Sequence, residues 1–420
     1  MTQRYDTYKD SGVQWLGEIP GHWRCVPFRR IATVKSNLVH PYDYLDFPQV
    51  SPDCIEKDSG RLISWKTVAD SNVESDNHRF YKGQIIYSKI RPLLNKVIIA
   101  PFDGLCSADM YPIETTTDTK YMQYYMLSNL FLSEVRNVIR DRVKMPKINK
   151  EELGQVNIII PPLSEQSSIV SYLDDKCGKI DKMLEGKQKQ IELLAEMKQR
   201  IIADAVTHGL NPDVKMKATN IPWLPEIPEH WACVKLKAFC KSNTEKNKGN
   251  IELCVLSLSY GSVIIKQNIN FGLVPENYES YQVVNPGYII LRLTDLQNDH
   301  KSLRTGLVKH RGIITSAYVG LIVNGMNSEY VQLLLHSYDV MKVFYGMGGG
   351  LRQSMSYQDI SNLYIPVPPL TEQQAIVSYL DDKTAKIDAL TSKLQQEIES
   401  IKEYKQRLIS DVVTGQIKVC

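Results

Sequence analysis

Two stretches of the chain carry apolar residues at helical spacing, residues 164–207 and residues 371–414. The spacings mix three, four and seven, which predicts a coiled-coil-like seam. The residues between are mostly Lys, Glu, Gln and Asp, as a solvated outer face requires. The seam positions are Ile169, Leu173, Ile180, Leu184, Ile191, Leu194 and Ile201 in the first stretch, and Ile376, Leu380, Ile387, Leu394, Ile398, Ile401 and Leu408 in the second. Because one seam cannot be buried alone, we expect the two helices to pack on each other. The pattern does not choose between parallel and antiparallel packing.

The remaining regions read as α+β. A proline pair precedes each long helix, where proline ends the preceding strand, and Ser164 and Thr371 follow as expected N-caps. Residues 83–87 and 287–291 are predicted strands, and residues 121–138 and 330–345 are predicted helices. Residues 208–221 carry Gly209 and Asn211-Pro212, which predicts a linker that ends the first helix.

The chain contains an internal repeat with a period of about 207 residues. Residues 15–23 (WLGEIPGHW) return as residues 223–231 (WLPEIPEHW), with seven identities in nine positions. Residues 161–181 return as residues 368–388, with sixteen identities in twenty-one positions. Lys198-Gln199-Arg200 returns as Lys405-Gln406-Arg407. Chance does not produce three collinear blocks of this kind, whereas residues 24–160 and 232–367 diverge. We infer one fold used twice with two different working surfaces, which implies a ligand with two different halves.

Length and composition place this chain among folded proteins. Its 420 residues predict two or three domains, and 43% hydrophobic with 23% charged residues argues against disorder. No stretch approaches the roughly 18 consecutive apolar residues of a membrane span, and the N-terminus does not resemble a signal peptide. The eight cysteines are scattered without metal spacing. We therefore expect reduced thiols in a cytoplasmic protein.

The net charge is only +3, but basic residues are concentrated in three local runs. Residues 79–96 hold five basic residues and no acid, residues 136–150 hold six basic residues against Asp141, and residues 301–311 hold four with no acid. Any single run is most simply a solvated face. Three runs in matching regions favour a polyanion, because each neutralised phosphate releases condensed counterions.

Catalytic signatures are weak throughout. No GxxxxGK[ST] phosphate loop occurs, and residues 346–351 (GMGGGL) follow a predicted helix rather than the strand that a dinucleotide site needs. The proline pairs are flanked by apolar residues, unlike the active-site motif of an amino-methyltransferase. Pro52-Asp53 with Glu56-Lys57 has the residue types of a metal nuclease but is too tightly spaced.

Two repeated polar features have simpler structural interpretations. The acid pairs Asp174-Asp175 and Asp381-Asp382 lie on the amphipathic helices, where surface ion pairing with lysine is the expected role. His22 and His230 lie in the repeated tryptophan blocks, where packing between the tryptophans is expected.

The order of these motifs resembles the specificity subunit of Type I restriction–modification enzymes, and the resemblance covers essentially the whole chain. It rests on the Pro-Pro-Leu-[Ser/Thr]-Glu-Gln run that opens each long helix, the closing Lys-Gln-Arg…Asp…Val-Thr, and Trp-Leu-x-Glu-Ile-Pro-x-His-Trp before each variable region. It implies an α+β fold with two target recognition domains separated by two long helices in an antiparallel coiled coil, with pseudo-two-fold symmetry. The expected boundaries are 1–160 and 223–367 for the domains, 161–210 and 368–420 for the helices with the C-terminal tail, and 211–222 for the linker.

The resemblance also implies a function. Each recognition domain would read one half of a split, asymmetric site in double-stranded DNA, and the helices would set the spacer between the halves. The chain itself would be non-catalytic and hold no cofactor. Two modification subunits would bring S-adenosylmethionine to methylate adenine, and restriction subunits would bring the ATP- and Mg-dependent motor-nuclease. Methylation would also require the target base to be flipped out of the stack.

The family has no fixed base-contact code, so candidate contacts rest on chemistry. Arginine can bind guanine and Asn or Gln can bind adenine, each good pair contributing roughly 1–3 kcal/mol of discrimination. For each Arg or Lys, a phosphate contact is the simpler interpretation. The candidates are Lys89, Arg91, Asn95, Arg142, Lys144 and Lys147 in the first domain, and Arg292, Lys309, Arg311, Arg352 and Gln353 in the second.

Two other function classes remain open at this point. A self-contained nuclease or methyltransferase would need a cofactor or metal motif in this chain. A coiled-coil scaffold that joins two protein-binding domains would show no salt-dependent DNA binding.

Overall fold

The computed structural model describes residues 4–13, 17–139, 146–266, 277–294, 296, 303–347 and 354–419. The chain divides into two units. Unit 1 comprises Met1–Gln188 and Gln395–Cys420, and unit 2 comprises Lys189–Leu394. Each unit therefore contains one variable region, the beginning of the long helix that follows it and the end of the other long helix.

The two long helices are confirmed almost to the residue, at Leu163–His208 and Leu370–Val413. The first ends at Gly209, whose φ of 80° is readily adopted only by glycine. The expected N-caps were wrong, because Ser164 and Thr371 lie inside the first turn. The carbonyl of Pro162 instead accepts hydrogen bonds from the backbone of Glu165 and Gln166, at 2.9 and 3.0 Å. Among the described residues, no helix is both long enough and apolar enough to cross a membrane.

Unit 1 has strands joined by short helices. Its strands are Tyr8–Asp10, Glu18–Pro20, Arg24–Pro27, Ala32–Val34, Leu38–Val39, Pro48–Val50, Lys66–Thr67, Asn77–Phe80, Ile85–Ser88, Val97–Ile99, Gly104–Cys106, Met110–Thr115 and Asn157–Ile160. Its helices, besides the parts of the long ones, are Val68–Ser71, Thr119–Leu127, Asn129–Val138 and Lys150–Gln155, with 3-10 turns at Phe28–Arg30, Pro41–Tyr44, Pro52–Cys54 and Pro92–Leu94.

Unit 2 is also built from strands, short helices and 3-10 turns. Its strands are Met216–Ile221, Leu224–Pro228, Ala232–Lys235, Cys240–Ser242, Leu256–Ser259, Ser262–Ile265, Gln282–Val284, Ile289–Leu291, Thr305–Leu307, Gly312–Ile314, Val319–Val323 and Tyr364–Val367. Its other helices are Ser328–Val340 and Tyr357–Ser361, with 3-10 turns at Leu236–Ala238, Lys248–Asn250 and Val343–Gly346. The segment expected as a linker thus contains a strand, because Met216–Ile221 pairs with Leu224–Pro228 in a hairpin.

Both units are built on the same four-stranded antiparallel sheet. Its strand order is Val97–Ile99, Ile85–Ser88, Met110–Thr115, Ala32–Val34 in unit 1, and Thr305–Leu307, Ile289–Leu291, Val319–Val323, Cys240–Ser242 in unit 2. A two-stranded pair leading to each long helix also repeats, since Arg24–Pro27 pairs with Asn157–Ile160 and Ala232–Lys235 with Tyr364–Val367. The strands predicted at 83–87 and 287–291 are the second strands of these sheets.

The remaining strands differ between the units. Each unit begins with a hairpin, Tyr8–Asp10 with Glu18–Pro20 in unit 1 and Met216–Ile221 with Leu224–Pro228 in unit 2. The other five strands of unit 1 form one sheet, in the order Leu38–Val39, Asn77–Phe80, Gly104–Cys106, Pro48–Val50, Lys66–Thr67. The other described strands of unit 2 form two separate pairs, Leu256–Ser259 with Ser262–Ile265 and Gln282–Val284 with Gly312–Ile314. The repeat therefore keeps one sheet and varies the other.

Both predicted domain helices are interrupted. The helix expected over 121–138 is split at Ser128, which has an extended ψ of 152° and caps Asn129–Val138 by accepting a hydrogen bond from the Phe131 N–H. Serine competes for backbone groups in this way wherever a cap is available. The helix expected over 330–345 ends at Val340, and a 3-10 turn follows Lys342, whose φ is 63°.

The long helices pack antiparallel within each unit. In unit 1, Asp181 pairs with Lys405 at 2.6 Å and Lys187 pairs with Glu397 at 2.5 Å, so partner numbers fall as residue numbers rise. In unit 2, Lys198 pairs with Asp388 at 2.6 Å, which is the equivalent contact from the other repeat. Buried seam residues surround these pairs, including Leu173 and Leu408 in unit 1 and Leu380 and Ile202 in unit 2.

A carboxylate clasp joins each long helix to its unit. In unit 1 the carboxylate of Glu165 accepts a hydrogen bond from the indole N–H of Trp23 at 3.0 Å, and His22 Nε2 lies 2.6 Å from its other oxygen. In unit 2 the same contacts join Glu372 to Trp231 at 3.0 Å and to His230 at 2.9 Å. Both tryptophans are buried in the core. The ring of His230 also packs edge-on against Trp231, with ring centres 6.3 Å apart, as the sequence predicted. The pairing of each histidine with the glutamate was not predicted, and Trp15 lies outside the described residues.

The next residue of each helix repeats a second set of contacts. Gln166 donates to the carbonyl of Pro161 and accepts from the backbone N–H of Asp118, both at 2.8 Å. Gln373 does the same with Pro368 and Asn327, at the same two distances. The first turn of each long helix is thereby tied to its preceding strand and to the start of a domain helix.

A buried tyrosine hydroxyl holds the end of the other long helix. In unit 1, Tyr121 shares its hydroxyl hydrogen between the carbonyls of Ile159 (2.9 Å) and Val413 (3.3 Å). In unit 2, Tyr330 does so between Val206 (2.9 Å) and Pro366 (3.4 Å). These hydroxyls satisfy carbonyls that a helix end leaves without an intrahelical partner.

We expect Tyr121→Phe to lower the free energy of unfolding by about 1–2 kcal/mol, because it strands a buried carbonyl. Urea unfolding followed by circular dichroism measures the change. Tyr172→Phe is the control, since its hydroxyl makes no hydrogen bond to a described residue. Equal stability of the Tyr121→Phe variant and the unchanged protein would contradict this account of the helix end.

The clasp of unit 1 also predicts a dependence of stability on pH. Burial alone would raise the pKa of Glu165, but hydrogen bonds from Trp23, His22 and Tyr5 lower it below the ordinary value of 4.5. The folded state therefore binds fewer protons than the unfolded state, so this contribution is complete above pH 4.5 and is lost as the pH falls below it. We expect the difference in Tm between the unchanged protein and Glu165→Gln to shrink as the pH falls from 5 to 3, because this contribution is lost only below the ordinary pKa of 4.5. A constant difference would show that the charge of Glu165 does not stabilise the fold.

Candidate nucleic-acid interface

Three predicted contact residues of unit 1 come together at the end of the strand Ile85–Ser88. The backbone N–H of Ile148 donates to the carbonyl of Lys89 at 3.0 Å, and the N–H of Arg91 donates to Pro146 at 2.8 Å. Lys147 lies opposite Ile90 in this short bridge. Two basic segments that are more than fifty residues apart in sequence thus form one surface.

Lys150 extends this surface and was missed as a candidate. It begins the helix Lys150–Gln155, after the capping residue Asn149, and its ammonium group hydrogen bonds to the Ser36 hydroxyl. The signal in the sequence was the basic run 136–150, from which only the residues nearest the proline were chosen. We refer to Lys89, Arg91, Lys147 and Lys150 as the first basic cluster.

The first basic cluster carries uncompensated positive charge. Lys147 is paired with Asp109 at 3.0 Å. Among the described residues, no carboxylate lies within salt-bridge distance of Lys89, Arg91 or Lys150. A bound anion would therefore gain Coulomb energy there without displacing a carboxylate from these three side chains.

The pKa of the buried His78 is affected by two lysines of the first basic cluster. His78 is buried, and its Nδ1 has no hydrogen-bond partner among the described residues. Burial lowers the pKa of His78 below 6.5, and the charges of Lys89 and Lys150 lower it further. Both lysines therefore lie close enough to the imidazole for their charges to disfavour its protonation.

The loop that presents Arg91 has an uncommon backbone conformation. Arg91 has a φ of 45°, in the left-handed region that non-glycine residues seldom adopt. Its N–H bond to Pro146 and the 3-10 turn Pro92–Leu94 hold it there. Strain of this kind is found most often where a side chain has to be presented in a set direction.

Asn95 does not belong to this surface. It is fully buried, and its side-chain amide donates to the carbonyl of Leu127 at 3.2 Å. An adenine edge cannot reach it in this fold, so we leave Asn95 out of the interface. Arg142 and Lys144 lie outside the described residues.

Arg79, from the first basic run, is held among aromatic rings. Its guanidinium carbon lies 5.2 Å from the ring centre of Tyr44, 5.0 Å from that of Tyr81 and 5.9 Å from that of Phe47. Such contacts stabilise a cation and limit its orientations. Charge counting alone did not distinguish this residue from its neighbours.

In unit 2, Arg292 occupies the corresponding strand end. It follows Ile289–Leu291, and its N–H donates to the carbonyl of Arg304 at 2.9 Å. The N–H of Met355 donates to the carbonyl of Leu293, the residue after Arg292, at 2.8 Å. This hydrogen bond is equivalent to the one from Ile148 to Lys89 in unit 1. Glycines with the same φ of 89°, Gly83 and Gly287, precede the two strands.

Arg304 was counted in a basic run, but it lies inside the domain. It is fully buried, and its guanidinium donates to the carbonyls of Thr294 (2.8 Å) and Arg292 (3.3 Å). Its backbone N–H donates to Asp339 at 2.6 Å. Arg304 therefore shapes the loop after Arg292 and does not contact a polyanion, so this part of the run was misassigned.

The structure does not bring Lys309 and Arg311 to Arg292. Thr305–Leu307 runs antiparallel to Ile289–Leu291, with Leu307 opposite Ile289, so the residues that follow lie beyond the other end of the hairpin. Lys309 and Arg311 are exposed there, and Arg311 contacts Glu252 at 3.3 Å and Asn285 at 2.8 Å. Arg352 and Gln353 lie outside the described residues.

The residues weighed for catalysis have other partners. Asp53 lies 3.6 Å from Lys96 and Glu56 lies 3.1 Å from Arg61, so the two carboxylates point to different cations. In the acid pairs, Asp175 binds Lys179 at 2.8 Å and Asp382 binds Lys386 at 2.7 Å, which confirms surface ion pairing. Within the described ranges, no group of three His, Cys, Asp or Glu side chains could hold a metal ion.

Comparison with known proteins matches both repeats to one family. A sequence model of that family, described as Type I restriction modification DNA specificity domain, matches residues 29–193 and 228–400. The type I restriction enzyme EcoDI specificity subunit of Escherichia coli is 38% identical over 206 residues, 47% of this chain and 46% of that protein. The chain thus matches about half the length of this relative. The type I restriction enzyme MjaVIII specificity subunit of Methanocaldococcus jannaschii is 26% identical over 339 residues, 75% of each chain.

The fold also matches a solved structure. A chain from the structure described as the structural basis underlying complex assembly and conformational transition of the type I R-M system superposes with a TM-score of 0.69. The match covers 95% of this chain and 99% of that chain at 17% identity. At this identity the likeness concerns the fold alone.

We expect Lys89→Gln and Lys150→Gln each to weaken binding of any double-stranded DNA and to reduce the slope of log affinity against log salt by about one. Fluorescence anisotropy across a salt series measures both. The control is Lys82→Gln, an exposed lysine of the same run beyond the other end of Ile85–Ser88. If all three variants had the unchanged slope, the first basic cluster would not lie at the DNA backbone.

Proposed function

Because the chain belongs to the family of Type I restriction–modification DNA specificity domains, we propose that its two units each read one half of a bipartite, asymmetric site in double-stranded DNA. The chain is the non-catalytic specificity subunit of such a complex. One observation carries the bipartite interpretation. The same four-stranded sheet occurs twice, while the cationic side chains around it differ between the units.

The first half site is assigned to residues 1–160 and the second to residues 223–367. In the first, Lys89, Lys147 and Lys150 suit phosphate contacts, because point charges neutralise the backbone without reading sequence. Arg91 and Arg79 suit guanine, because their orientation is limited by backbone strain and by aromatic rings respectively. Arg142 and Lys144 stay candidates from the sequence.

In the second half site, Arg292 is the candidate for base contact at the strand end, positioned by the buried Arg304. Lys309 and Arg311 lie at the other end of the hairpin, so they would contact a different stretch of backbone. Arg352 and Gln353 stay candidates from the sequence. Different cations in different places would give the two halves different sequences.

The long helices, with the bounds 161–210 and 368–420 including the tail, would set the spacer between the half sites. They also carry exposed apolar residues at equivalent positions of the two repeats, Met183 with Leu390 and Met197 with Tyr404. Exposed apolar side chains that recur with the repeat fit a partner that is present twice. This supports two modification subunits per chain.

Catalysis and its cofactors would come from those partners. The modification subunits would supply S-adenosylmethionine and the pocket for a flipped adenine, and restriction subunits would supply ATP- and Mg-dependent cleavage. The cysteines of the described residues are all free thiols, which supports a reducing, cytoplasmic location.

Replacing residues 24–160 with the equivalent region of another specificity subunit is expected to change one half of the methylated sequence and to leave the other half and the spacer intact. The physical reason is that each reading surface is built within its own unit. Methylome sequencing of cells that express the hybrid with its modification subunits measures the outcome. The reciprocal control replaces residues 232–367. A hybrid that alters both halves would disprove modular reading.

A further inference from the structure

The carboxylate clasp is conserved between the two repeats where the reading surfaces are not. The indole-to-carboxylate distance is 3.0 Å in both units, and the histidine distances differ by only 0.3 Å, from 2.6 to 2.9 Å. The neighbouring sheets differ in strand number and pairing. Duplication with divergence thus kept the tryptophan and histidine contacts of the clasp while the rest of the surface varied, so their role is common to both half sites. A third donor, the hydroxyl of Tyr5 at 3.0 Å from Glu165, has no equivalent among the described contacts of Glu372.

The hydrogen bond from the indole N–H to the carboxylate fixes the position of the glutamate side chain relative to the tryptophan ring. A buried indole N–H has one donor and needs one acceptor, and Glu165 and Glu372 provide it from the first turn of a helix. There the carboxylate is also favoured by the helix dipole. In unit 1 the indole and the imidazole contact different oxygens of Glu165, and in unit 2 both rings contact Oε2 of Glu372, so each carboxylate is held by two rigid rings and has little freedom. A charge-assisted hydrogen bond of this kind is roughly twice as strong as a neutral one.

The other long helix ends at the same place. In unit 2, Gly209 has a φ of 80°, and a Cβ added there would lie 3.1 Å from both the ring of Trp231 and the carboxylate of Glu372. In unit 1, Gly415 has a φ of 75°, and a Cβ would lie 3.1 Å from the ring of Trp23. Each tryptophan therefore contacts the beginning of one long helix through its N–H and the end of the other through its ring.

These contacts set the register of the helix pair within each unit. A shift of either helix along its axis would break the indole hydrogen bond or the tyrosine contact with the helix end, which Tyr121 makes with Val413 and Tyr330 with Val206. The reading residues Lys89, Arg91 and Arg292 do not touch the clasp. Breaking the clasp would therefore change the position of the reading residues relative to the helix pair, but it would not change the arrangement of the reading residues among themselves.

We infer that Glu165 and Glu372 are positioning residues that hold each reading surface at a fixed place on the helix pair and so determine how strictly the spacer length of the DNA site is read. The inference rests on the proposed function, because spacer reading has meaning only for a bipartite site. The two glutamates would act independently, one for each half.

The test uses the full chain with its modification subunits and a family of DNA duplexes. The native bipartite site, identified by methylome sequencing, is compared with sites whose spacer is one base pair longer or shorter, and with sites that carry one wrong base in either half. The variants are Glu165→Gln, Glu165→Ala, Glu372→Gln and Glu372→Ala. Methylation rates on each duplex give two ratios, one for spacer discrimination and one for base discrimination.

We expect the alanine variants to lose on the order of tenfold in spacer discrimination, as the loss of a charge-assisted hydrogen bond implies, with base discrimination unchanged. The glutamine variants keep an acceptor and should lose less. Matched controls are Asp175→Asn and Asp382→Asn, which remove surface ion pairs with Lys179 and Lys386 on the same helices. These controls should keep both ratios.

Other outcomes would overturn the inference. A purely structural role would lower the Tm and slow methylation of all duplexes equally, leaving both ratios unchanged. A change in base discrimination would make the glutamate part of the reading surface. Fully retained spacer discrimination in the alanine variants would leave the clasp without this role. If the unchanged protein gave no bipartite methylated motif, the proposed function itself would fail, which is a separate result.

Discussion

The fold depends on one interaction made twice, the hydrogen bond from a buried tryptophan N–H to a glutamate in the first turn of a long helix. A buried indole without an acceptor would cost roughly 1–3 kcal/mol, so the tryptophan and the glutamate have to be kept together. The glycine after the other helix lies close to the same ring, and at Gly415 a Cβ would also collide with Pro20. These constraints explain why Trp23, Glu165 and Gly415 come from widely separated parts of the sequence and meet at one place.

The same interaction explains which parts of the repeat could diverge. Residues of the repeated blocks meet each other at the clasp, at the Gln166 and Gln373 contacts, and at the Asp181–Lys405 and Lys198–Asp388 pairs. Residues 24–160 and 232–367 contact this framework through the four-stranded sheet and the domain helices. In unit 1 one loop also contacts the helices, since Arg61 pairs with Glu185 at 3.1 Å and Gln406 donates to the carbonyl of Asp58 at 3.3 Å. These contacts lie outside the repeated set, so the outer strands and loops can change their charge and pairing without breaking the clasp.

The two long helices were largely predictable from the sequence, but the local breaks and caps of helices were not. The apolar seam predicted both long helices to within one residue at each end, because a sustained period reflects a sustained environment. The break at Ser128 was missed because a serine cap depends on a hydrogen bond that periodicity does not show. The first helical turns were placed one residue late, because the carbonyls of Pro162 and Pro369, and not a side chain, begin the hydrogen bonding.

The candidate interface was predicted less well, for a related reason. A count of positive charges does not tell a solvated arginine from one whose donors are used internally, so Arg304 was grouped with Lys309 and Arg311. Polarity likewise said nothing of the burial of Asn95. The meeting of Lys89 with Lys147 depends on backbone pairing between distant segments, which no local pattern encodes. The basic runs indicated candidate regions, and only the fold distinguished exposed from buried residues within them.

If the two units read separate half sites, as proposed, rigid positioning has an energetic reason. Each half supplies a limited number of base contacts, at roughly 1–3 kcal/mol each, and also depends on phosphate contacts that any DNA offers. Joining the two halves makes the second contact intramolecular, and the gain is lost if the geometry prevents both from binding at once. A flexible connection between the two reading surfaces would let sites with the wrong spacer regain part of the free energy that simultaneous binding provides. Two reading surfaces of modest strength can therefore select a long site only if the framework between them resists adjustment, and a directional, charge-assisted contact at each helix start supplies that resistance.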